Sequence, residues 1–272
     1  MGVLDQIVRD KRDEVVRRKR EISRGELEAR GKNLSRARSF RAALHPLPLP
    51  SLRPGARRVR LIAEIKNASP SRGVFTESFD PVALAGTYSA HGASALSVLT
   101  DEKYFRGSRE HLERVRAAVD LPLLRKDFML DEYQLWESRA LGADAVLLIV
   151  AALDRPLLQD LHQAAGGIGL DALVEVHTPH ELDAALSLGA SLIGINNRNL
   201  QTLETSLEIS LELIPRIPPG PVVVSESGLF TRDDVERVVA AGAHAVLVGE
   251  ALVTASDVAA KVRELALLED PA

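Results

Sequence analysis

Cysteine is absent from the 272 residues, which excludes disulfides, cysteine-ligated zinc and thiol catalysis. Runs of eighteen apolar residues are absent too, and residues 1–20 are crowded with charge, so neither a membrane span nor a secretory signal is expected. Wholesale disorder is excluded by composition: 46% hydrophobic and 26% charged residues describe an ordinary globular chain, long enough for one large domain or two small ones. Charge of one sign is scarce only locally. Residues 1–60 hold 17 Lys/Arg against 7 Asp/Glu, whereas residues 61–272 hold 17 against 31. A basic head therefore precedes an acidic body.

The head divides in two. Val3, Leu4, Ile7, Val8, Val15 and Ile22 recur at mostly helical spacing with charges between them, which predicts an amphipathic helix over 3–22. Residues 45–55 carry four prolines and read as a connector. The boundary predicted from this is an extension with its connector over 1–58 and a catalytic body over 59–272.

The body repeats. Gly92-Ala93-Ser94-Ala95-Leu96, Gly142-Ala143-Asp144-Ala145-Val146, Gly189-Ala190-Ser191-Leu192-Ile193 and Gly242-Ala243-His244-Ala245-Val246 each follow an amphipathic stretch and open an apolar run. Each glycine reads as a helix C′ residue and each run as a buried strand. Further strands fit at 60–65, 121–125, 172–176 and 222–225. Asp80-Pro81, Thr178-Pro179-His180-Glu181 and Thr231-Arg232-Asp233-Asp234 mark helix starts. Eight strands alternating with eight helices predict a closed parallel (β/α)8 TIM barrel. A doubly wound open sheet is the alternative, but the even repeat offers no switch point.

Chemistry in such barrels gathers at the carboxyl ends of the strands. Here those ends read Glu64-Ile65-Lys66, Arg125-Lys126-Asp127, Glu175-Val176, Asn196-Asn197-Arg198 and Glu226-Ser227-Gly228. Charges so near an apolar interior are costly unless paired or at work. Any one of them reads equally well as part of a barrel-mouth ion network; their convergence on one rim favours a site. Ser227-Gly228 after strand 7 and Gly249-Glu250 after strand 8 stand where barrels bind phosphate through backbone N–H groups, with the Glu250 carboxylate turned away. The segment 67–80 is long for a β/α loop and suits a lid or binding loop.

Other features carry less. Gly166-Gly167-Ile168-Gly169 precedes a strand, so it is a helix-to-strand turn. His177 and His180 lack a third ligand, so no metal site is expected. Trp136 reads as a packing residue, and no Ser/His/Asp signature is present.

These strand ends, with Ser69-Pro70-Ser71, Lys103-Tyr104-Phe105-Arg106-Gly107-Ser108, Lys126-Asp127-Phe128, Ile195-Asn196-Asn197-Arg198 and Leu247-Val248-Gly249-Glu250, resemble indole-3-glycerol phosphate synthases. The opening Leu4-Asp5-Gln6-Ile7-Val8 resembles that family's N-terminal helix. The resemblance implies conversion of 1-(2-carboxyphenylamino)-1-deoxyribulose 5-phosphate to indole-3-glycerol phosphate, CO2 and water in tryptophan biosynthesis, with no metal or organic cofactor. It implies Lys126 as general acid, Glu175 as base and Glu64 in proton transfer. Lys66 would pair with the substrate carboxylate or phosphate, Asn196 would hold a hydroxyl, and Arg198 would steer anions. Phe105 and Phe128 would flank the anthranilate ring, and Ser69 would anchor the loop. Ser227 would support the site beside Glu226 and Leu247, and Gly228, Gly249 and Glu250 would supply the phosphate-binding backbone. A catalytic lysine is expected to have its pKa lowered by burial or a cationic neighbour.

The implied setting is the cytoplasm and the implied partner a phosphorylated small molecule, without nucleic acid or membrane. The state would be a monomer or weak homodimer, with other tryptophan-pathway enzymes as further partners. Two other functions compete. An Amadori-type isomerase on a phosphate-binding barrel would need only one acid–base pair. A non-catalytic protein binding nucleic acid through the head is disfavoured by the acids among its cations and its lack of interleaved aromatics. The basic head could also steer a doubly anionic substrate inward, or simply complement the acidic barrel.

Overall fold

The computed structural model describes residues 2–45, 59–70, 72–76, 78–200 and 202–268. Eight parallel strands close a barrel in chain order: β1 Arg60–Ile65, β2 Ala95–Leu99, β3 Leu123–Lys126, β4 Ala145–Ile149, β5 Asp171–Val176, β6 Leu192–Asn196, β7 Val222–Glu226 and β8 Ala245–Val248. Closure is made by β8 against β1, with Ala63 beside Val248. The expected strand at 121–125 starts later, at Leu123. Pro122 has no N–H to give to a ladder, and only its carbonyl pairs, accepting from Leu96 N. The four repeat glycines, 92, 142, 189 and 242, all hold positive φ, which is why glycine recurs where each helix turns into its strand.

Helices α1 Val3–Glu21, α2 Arg24–Asn33 and α3 Phe40–Leu44 form the head. The barrel is wrapped by α4 Pro81–Ala90, α5 Glu102–Phe105, α6 Arg109–Ala118, α7 Glu132–Ala140, α8 Arg155–Gly167, α9 Pro179–Ser187, α10 Glu208–Leu213, α11 Arg232–Ala241, α12 Glu250–Val253 and α13 Val258–Leu265. The capping signals operate as expected: Asp80 accepts from Val82 N and Ala83 N, Thr178 from Glu181 N, and Thr231 and Asp234 form a capping box. Among the described residues no helix is long and apolar enough to cross a membrane.

Side-chain alternation sorts the strands into two cores. Leu61, Ala63 and Ile65 of β1, Val174 and Val176 of β5, and Val246 and Val248 of β8 join the outer core under the helices. Ile62, Leu124, Leu173, Val224 and Leu247 join the inner one. Continuing the inner parity by two residues brings Glu64 of β1, Lys126 of β3, Glu175 of β5 and Glu226 of β7 inside. One interior layer of side chains from alternate strands is the usual way these barrels fill. Here that layer is charged.

The head clamps the barrel at both ends. Phe40 and Leu44 of α3 are fully buried in the inner core with Ala95, Ala145, Leu192, Val222 and Ala245, the residues that open their strands. At the other end Val3, Leu4 and Ile7 of α1 line the mouth. Two head cations go under the surface. Lys11 Nζ lies 2.8 Å from each of Glu14, Asp101 and Asp127, and Arg18 pairs with Glu14 and Glu137. Arg125 of β3 joins Asp127 (3.1 Å) to Glu137 (2.7 Å). The result is a closed ring of alternating sign, Lys11–Asp127–Arg125–Glu137–Arg18–Glu14. At the rim Lys19 pairs with Asp131, Arg24 with Glu132 and Arg38 with Asp120.

Hydrophobic periodicity missed α2 and α3. Leu27 is the one buried hydrophobic side chain of α2, so its sequence shows no stripe. The legible signals are the caps of the two helices, Ser23 of α2 accepting from Glu26 N and Ser39 of α3 from Ala42 N. Beyond His45 the expected proline connector lies outside the described residues, as does Ser71. Trp136 packs with Val15, Leu27 and Tyr133 and has Lys32 Nζ 5.6 Å over its ring.

Candidate active site

A pocket opens at the carboxyl end of the barrel, and the fifteen residues given a catalytic or binding role by the resemblance line it. β1 and its loop supply Glu64, Lys66 and Ser69; α5 supplies Phe105; β3 and its loop supply Lys126 and Phe128. Glu175 comes from β5, Asn196 and Arg198 from β6 and its loop, and Glu226, Ser227 and Gly228 from β7. Leu247, Gly249 and Glu250 complete the circle from β8.

Lys126 stands at the centre of the charged layer. Its Nζ is 2.9 Å from Glu175 Oε2 and 3.4 Å from Glu226 Oε2. Burial pulls the lysine pKa down, but Glu175, Glu226 and Glu64 outweigh it and raise it. The expectation of a lowered lysine is therefore overturned: the neighbours are anions, and the side chain is a firmly held ammonium.

The two carboxyls beside it differ. Burial works against ionised Glu175, but Lys126 and His177 prevail and hold its pKa below the usual range; Asn196 Nδ2 also donates to its Oε1 at 3.1 Å. Glu226 is pushed up to about 7, first by burial and then by Glu175 and Glu64, against the pull of Lys126. Neither of its buried oxygens has a hydrogen-bond partner among the described residues. One ammonium cannot support two adjacent carboxylates equally, so Glu175 keeps the charge and Glu226 retains a proton near neutrality. Gly194 of β6 makes this packing possible, since a Cβ there would run into Glu226 Oε1.

On the β1 side Lys66 Nζ pairs with Glu64 Oε1 at 2.9 Å and sits 5.6 Å over the Phe75 ring. Ser97 Oγ donates to Glu64 Oε2 at 3.4 Å. Gly249 crosses directly above the pair: a Cβ would lie 2.5 Å from Glu64 Oε1 and 3.0 Å from Lys66 Nζ. The loop after β1 folds into a small hairpin, Ala68–Ser69 against Gly73–Val74, and Arg72 at its tip reaches Glu250 Oε1 at 2.9 Å. The Glu250 carboxylate also lies 3.7 Å from Arg198.

Asn197 was quoted in the sequence motif but not given a role, and it braces the β7 turn. Its Nδ2 donates to Ser225 Oγ (3.1 Å) and to the Ser227 carbonyl (3.0 Å), while its Oδ1 accepts from Ser210 N (3.0 Å). Ser227 and Gly228 both hold positive φ, a sharp turn that needs such a brace. His177, which the sequence gives no metal-binding role, contacts Glu175. Its i,i+4 spacing from Glu181 at the start of α9 was the available signal. Among the described residues no group of three or more His, Asp or Glu is placed to hold a metal ion.

Apart from Asp127, the remaining wall is apolar, including Leu99, Leu147, Ile149, Leu200, Leu203 and Phe230 with the three residues of α1. Phe105 and Phe128 meet each other, with centroids 6.4 Å apart and planes 37° apart. A third ring between two others needs about 7 Å at van der Waals contact. They therefore form one apolar wall, where a slot between them was expected.

Comparison with known proteins agrees with this geometry. The family model described as indole-3-glycerol phosphate synthase matches residues 4–265. An indole-3-glycerol phosphate synthase from Roseiflexus sp. (strain RS-1) is 50% identical over 271 residues, 97% of each chain. One from Burkholderia ambifaria is 49% identical over 255 residues, covering 93% of this chain and 94% of its own. Solved structures share the fold alone. A 3-hexulose-6-phosphate synthase superposes with a TM-score of 0.63 at 18% identity, covering 78% of this chain and 100% of its own. A thiamine phosphate pyrophosphorylase from Pyrococcus furiosus gives 0.58 at 18% identity, covering 76% and 93%. A barrel whose interior layer is this lysine and these glutamates, matched over nearly its whole length, belongs to the indole-3-glycerol phosphate synthase family.

Proposed function

We propose that Lys126, Glu175, Glu64 and Lys66 carry out the family's reaction on 1-(2-carboxyphenylamino)-1-deoxyribulose 5-phosphate, with Asn196 and Glu226 in support. A bond forms between the ring carbon bearing the carboxylate and the ketone carbon, and the ketone oxygen takes a proton. The carboxylate then departs as CO2 and returns its electron pair to the ring. The new hydroxyl leaves as water, while a proton is lost from the neighbouring carbon. The chain has to give two protons, one to the ketone oxygen and one to the departing hydroxyl, to accept one from carbon, and to stabilise a cationic intermediate between.

Lys126 is the acid for the first step, an ammonium fixed at the centre of the layer. Glu175, kept ionised, opposes the developing cation and accepts a proton. Glu64 and Lys66, paired at 2.9 Å, serve the substrate carboxylate and the loss of water, and Asn196 holds the leaving hydroxyl. The phosphate belongs at the Ser227-Gly228 and Gly249-Glu250 turns beside Arg198, with Ser69 on the facing loop. Phe105, Phe128 and Leu247 present an apolar wall to the aromatic ring and exclude water. The substrate is thus a phosphorylated small molecule, and the reading includes work in the cytoplasm. It calls for no nucleic acid or membrane partner.

The observation that carries this reading is one ammonium between two carboxylates, with a second lysine–glutamate pair, Lys66 and Glu64, alongside. An Amadori-type isomerase needs a single acid–base pair and leaves the rest without employment. Incubating the chain with the carboxyphenylamino-deoxyribulose phosphate should produce indole fluorescence; a silent assay overturns the proposal.

A further inference from the structure

Glu175 has a third partner that the reaction scheme leaves unused. His177 follows it by two residues, just past the end of β5 and before the N-cap of α9. Its Nε2 lies 3.3 Å from Glu175 Oε1 and its Nδ1 lies 3.0 Å from Glu181 Oε2. The same Glu181 oxygen accepts the His177 backbone N–H at 2.7 Å. The ring is only 9% exposed, and Nε2 is buried with no hydrogen-bond partner among the described residues, so the Glu175 carboxylate acts on it by proximity of charge.

Both ring nitrogens face carboxylate oxygens. A neutral imidazole has one N–H and one bare lone pair, so in either tautomer only one of the two carboxylates would have an N–H beside it. Two protons on the ring supply both. The turn Val150–Ala152, which packs on both β5 and α9, adds no charged side chain; the positive N-terminus of α9 next to the ring opposes the imidazolium, and the two carboxylates have to outweigh it. Lys126, the nearest other cation in the arrangement, occupies the opposite oxygen of Glu175. Burial lowers the histidine pKa, but the Glu175 and Glu181 carboxylates raise it to about 9.

We propose that His177 is a positioning residue for ring closure: clamped as an imidazolium by Glu181, it holds the Glu175 carboxylate ionised and turned toward Lys126. This rests on the functional reading above and deepens it. Glu175 lies 2.9 Å from Lys126 Nζ and competes with the substrate ketone for the proton of that ammonium. A cation on its other oxygen weakens Glu175 as an acceptor, so the proton is left for the substrate. When Lys126 gives its proton up, Glu175 loses one counterion and retains the second. It therefore remains an anion opposite the cationic intermediate.

The test uses the full chain and three forms: unmodified, Glu181→Gln and His177→Asn. The ring of His177 is followed by NMR titration, and kcat and KM are measured by indole fluorescence across pH. In the unmodified protein the imidazolium should persist through neutrality and titrate near 9, with kcat falling as it is lost. Glu181→Gln keeps an acceptor for the backbone N–H but removes the charge; the NMR midpoint and the alkaline limb of kcat should both move to lower pH, by a unit or more. His177→Asn should lose that limb and lower kcat about tenfold or more, with KM little changed. A His177 midpoint near its ordinary value in the unmodified protein overturns the proposal. So does a midpoint that moves in Glu181→Gln while the kcat profile stays in place, since that is a structural contact only. Failure of the functional reading shows up separately: no form, including the unmodified one, would then make indole, while the titration still judges the clamp.

Discussion

Glu175 and Glu226 flank the same ammonium at 2.9 and 3.4 Å, yet their carboxyls are driven in opposite directions. Glu175 has Lys126, Asn196 and His177 against its oxygens, whereas Glu226 has burial and two neighbouring glutamates against its charge. A carboxyl raised from 4.5 to about 7 keeps its proton in the folded chain where the unfolded chain has lost it. Stability should therefore fall as pH rises from about 4.5 to 7 and stay reduced above that. At about 1.4 kcal/mol per unit the loss is on the order of 3 kcal/mol. Urea unfolding at pH 5 and pH 8 measures it. Glu226→Gln should remove this contribution to the slope, gaining on the parent at pH 8 and not at pH 5.

Much of this site was legible in the sequence because a barrel converts strand parity into position. Glu64, Lys126, Glu175, Asn196 and Glu226 each end an apolar run at the inward parity, and nothing else about them had to be known to place them in one layer. Electrostatics was not legible. The direction of the Lys126 shift depends on which charges surround it across four strands, and the sequence shows neighbours along one strand only. The docking of Lys11 on Asp101 and Asp127 was hidden for the same reason: these partners are separated by about ninety residues or more of chain. The helices α2 and α3 were missed because one offers no stripe and the other is five residues long.

Lys126→Ala should remove the acid of the first step without removing the phosphate-binding turns. Turnover should drop by about two to four orders of magnitude, with KM changed only a few-fold. Steady-state fluorescence assays separate the two, and near-normal kcat would sink the assignment.

Gly249 tests how tightly the β8 turn covers the Glu64–Lys66 pair. A methyl group there meets Glu64 Oε1 at 2.5 Å and Lys66 Nζ at 3.0 Å, so one of the two must leave its place. Gly249→Ala should fold at a cost of about 1–3 kcal/mol and lose most of its activity. Full activity with an unchanged melting temperature would show that the pair tolerates displacement.

The head can be tested for steering. Its exposed arginines do not point into the mouth, which α1 lines with Val3, Leu4 and Ile7, and its deepest cations are neutralised by barrel acids. Replacing exposed Arg12, Arg17 and Arg20 with glutamine should leave KM within about twofold at low ionic strength, where steering is strongest. A marked rise in KM that salt abolishes would restore the steering role.

The ring Lys11–Asp127–Arg125–Glu137–Arg18–Glu14 couples the head to the strand that carries Lys126. Lys11 is 1% exposed and Asp127 is fully buried, and burial, which lowers the lysine pKa, is outweighed by Asp127, Asp101 and Glu14, so that it is raised. Removing the lysine takes the cation from buried Asp101 and leaves Asp127 with Arg125 alone; breaking a buried pair costs about 3–5 kcal/mol at comparable sites. Lys11→Met should lower stability by that order in urea unfolding and increase hydrogen exchange in α1. Adding Asp127→Asn should recover part of the loss, because the variant then buries one fewer carboxylate in a ring that has lost a cation. The pH dependence has a definite sign. Burial raises the Asp127 pKa, but Lys11 and Arg125 prevail and depress it, so its contribution is complete above about pH 4 and erodes as pH falls toward the folded value. The parent should accordingly lose stability on acidification more steeply than the double variant, and parallel curves would show that the ring carries no net coupling.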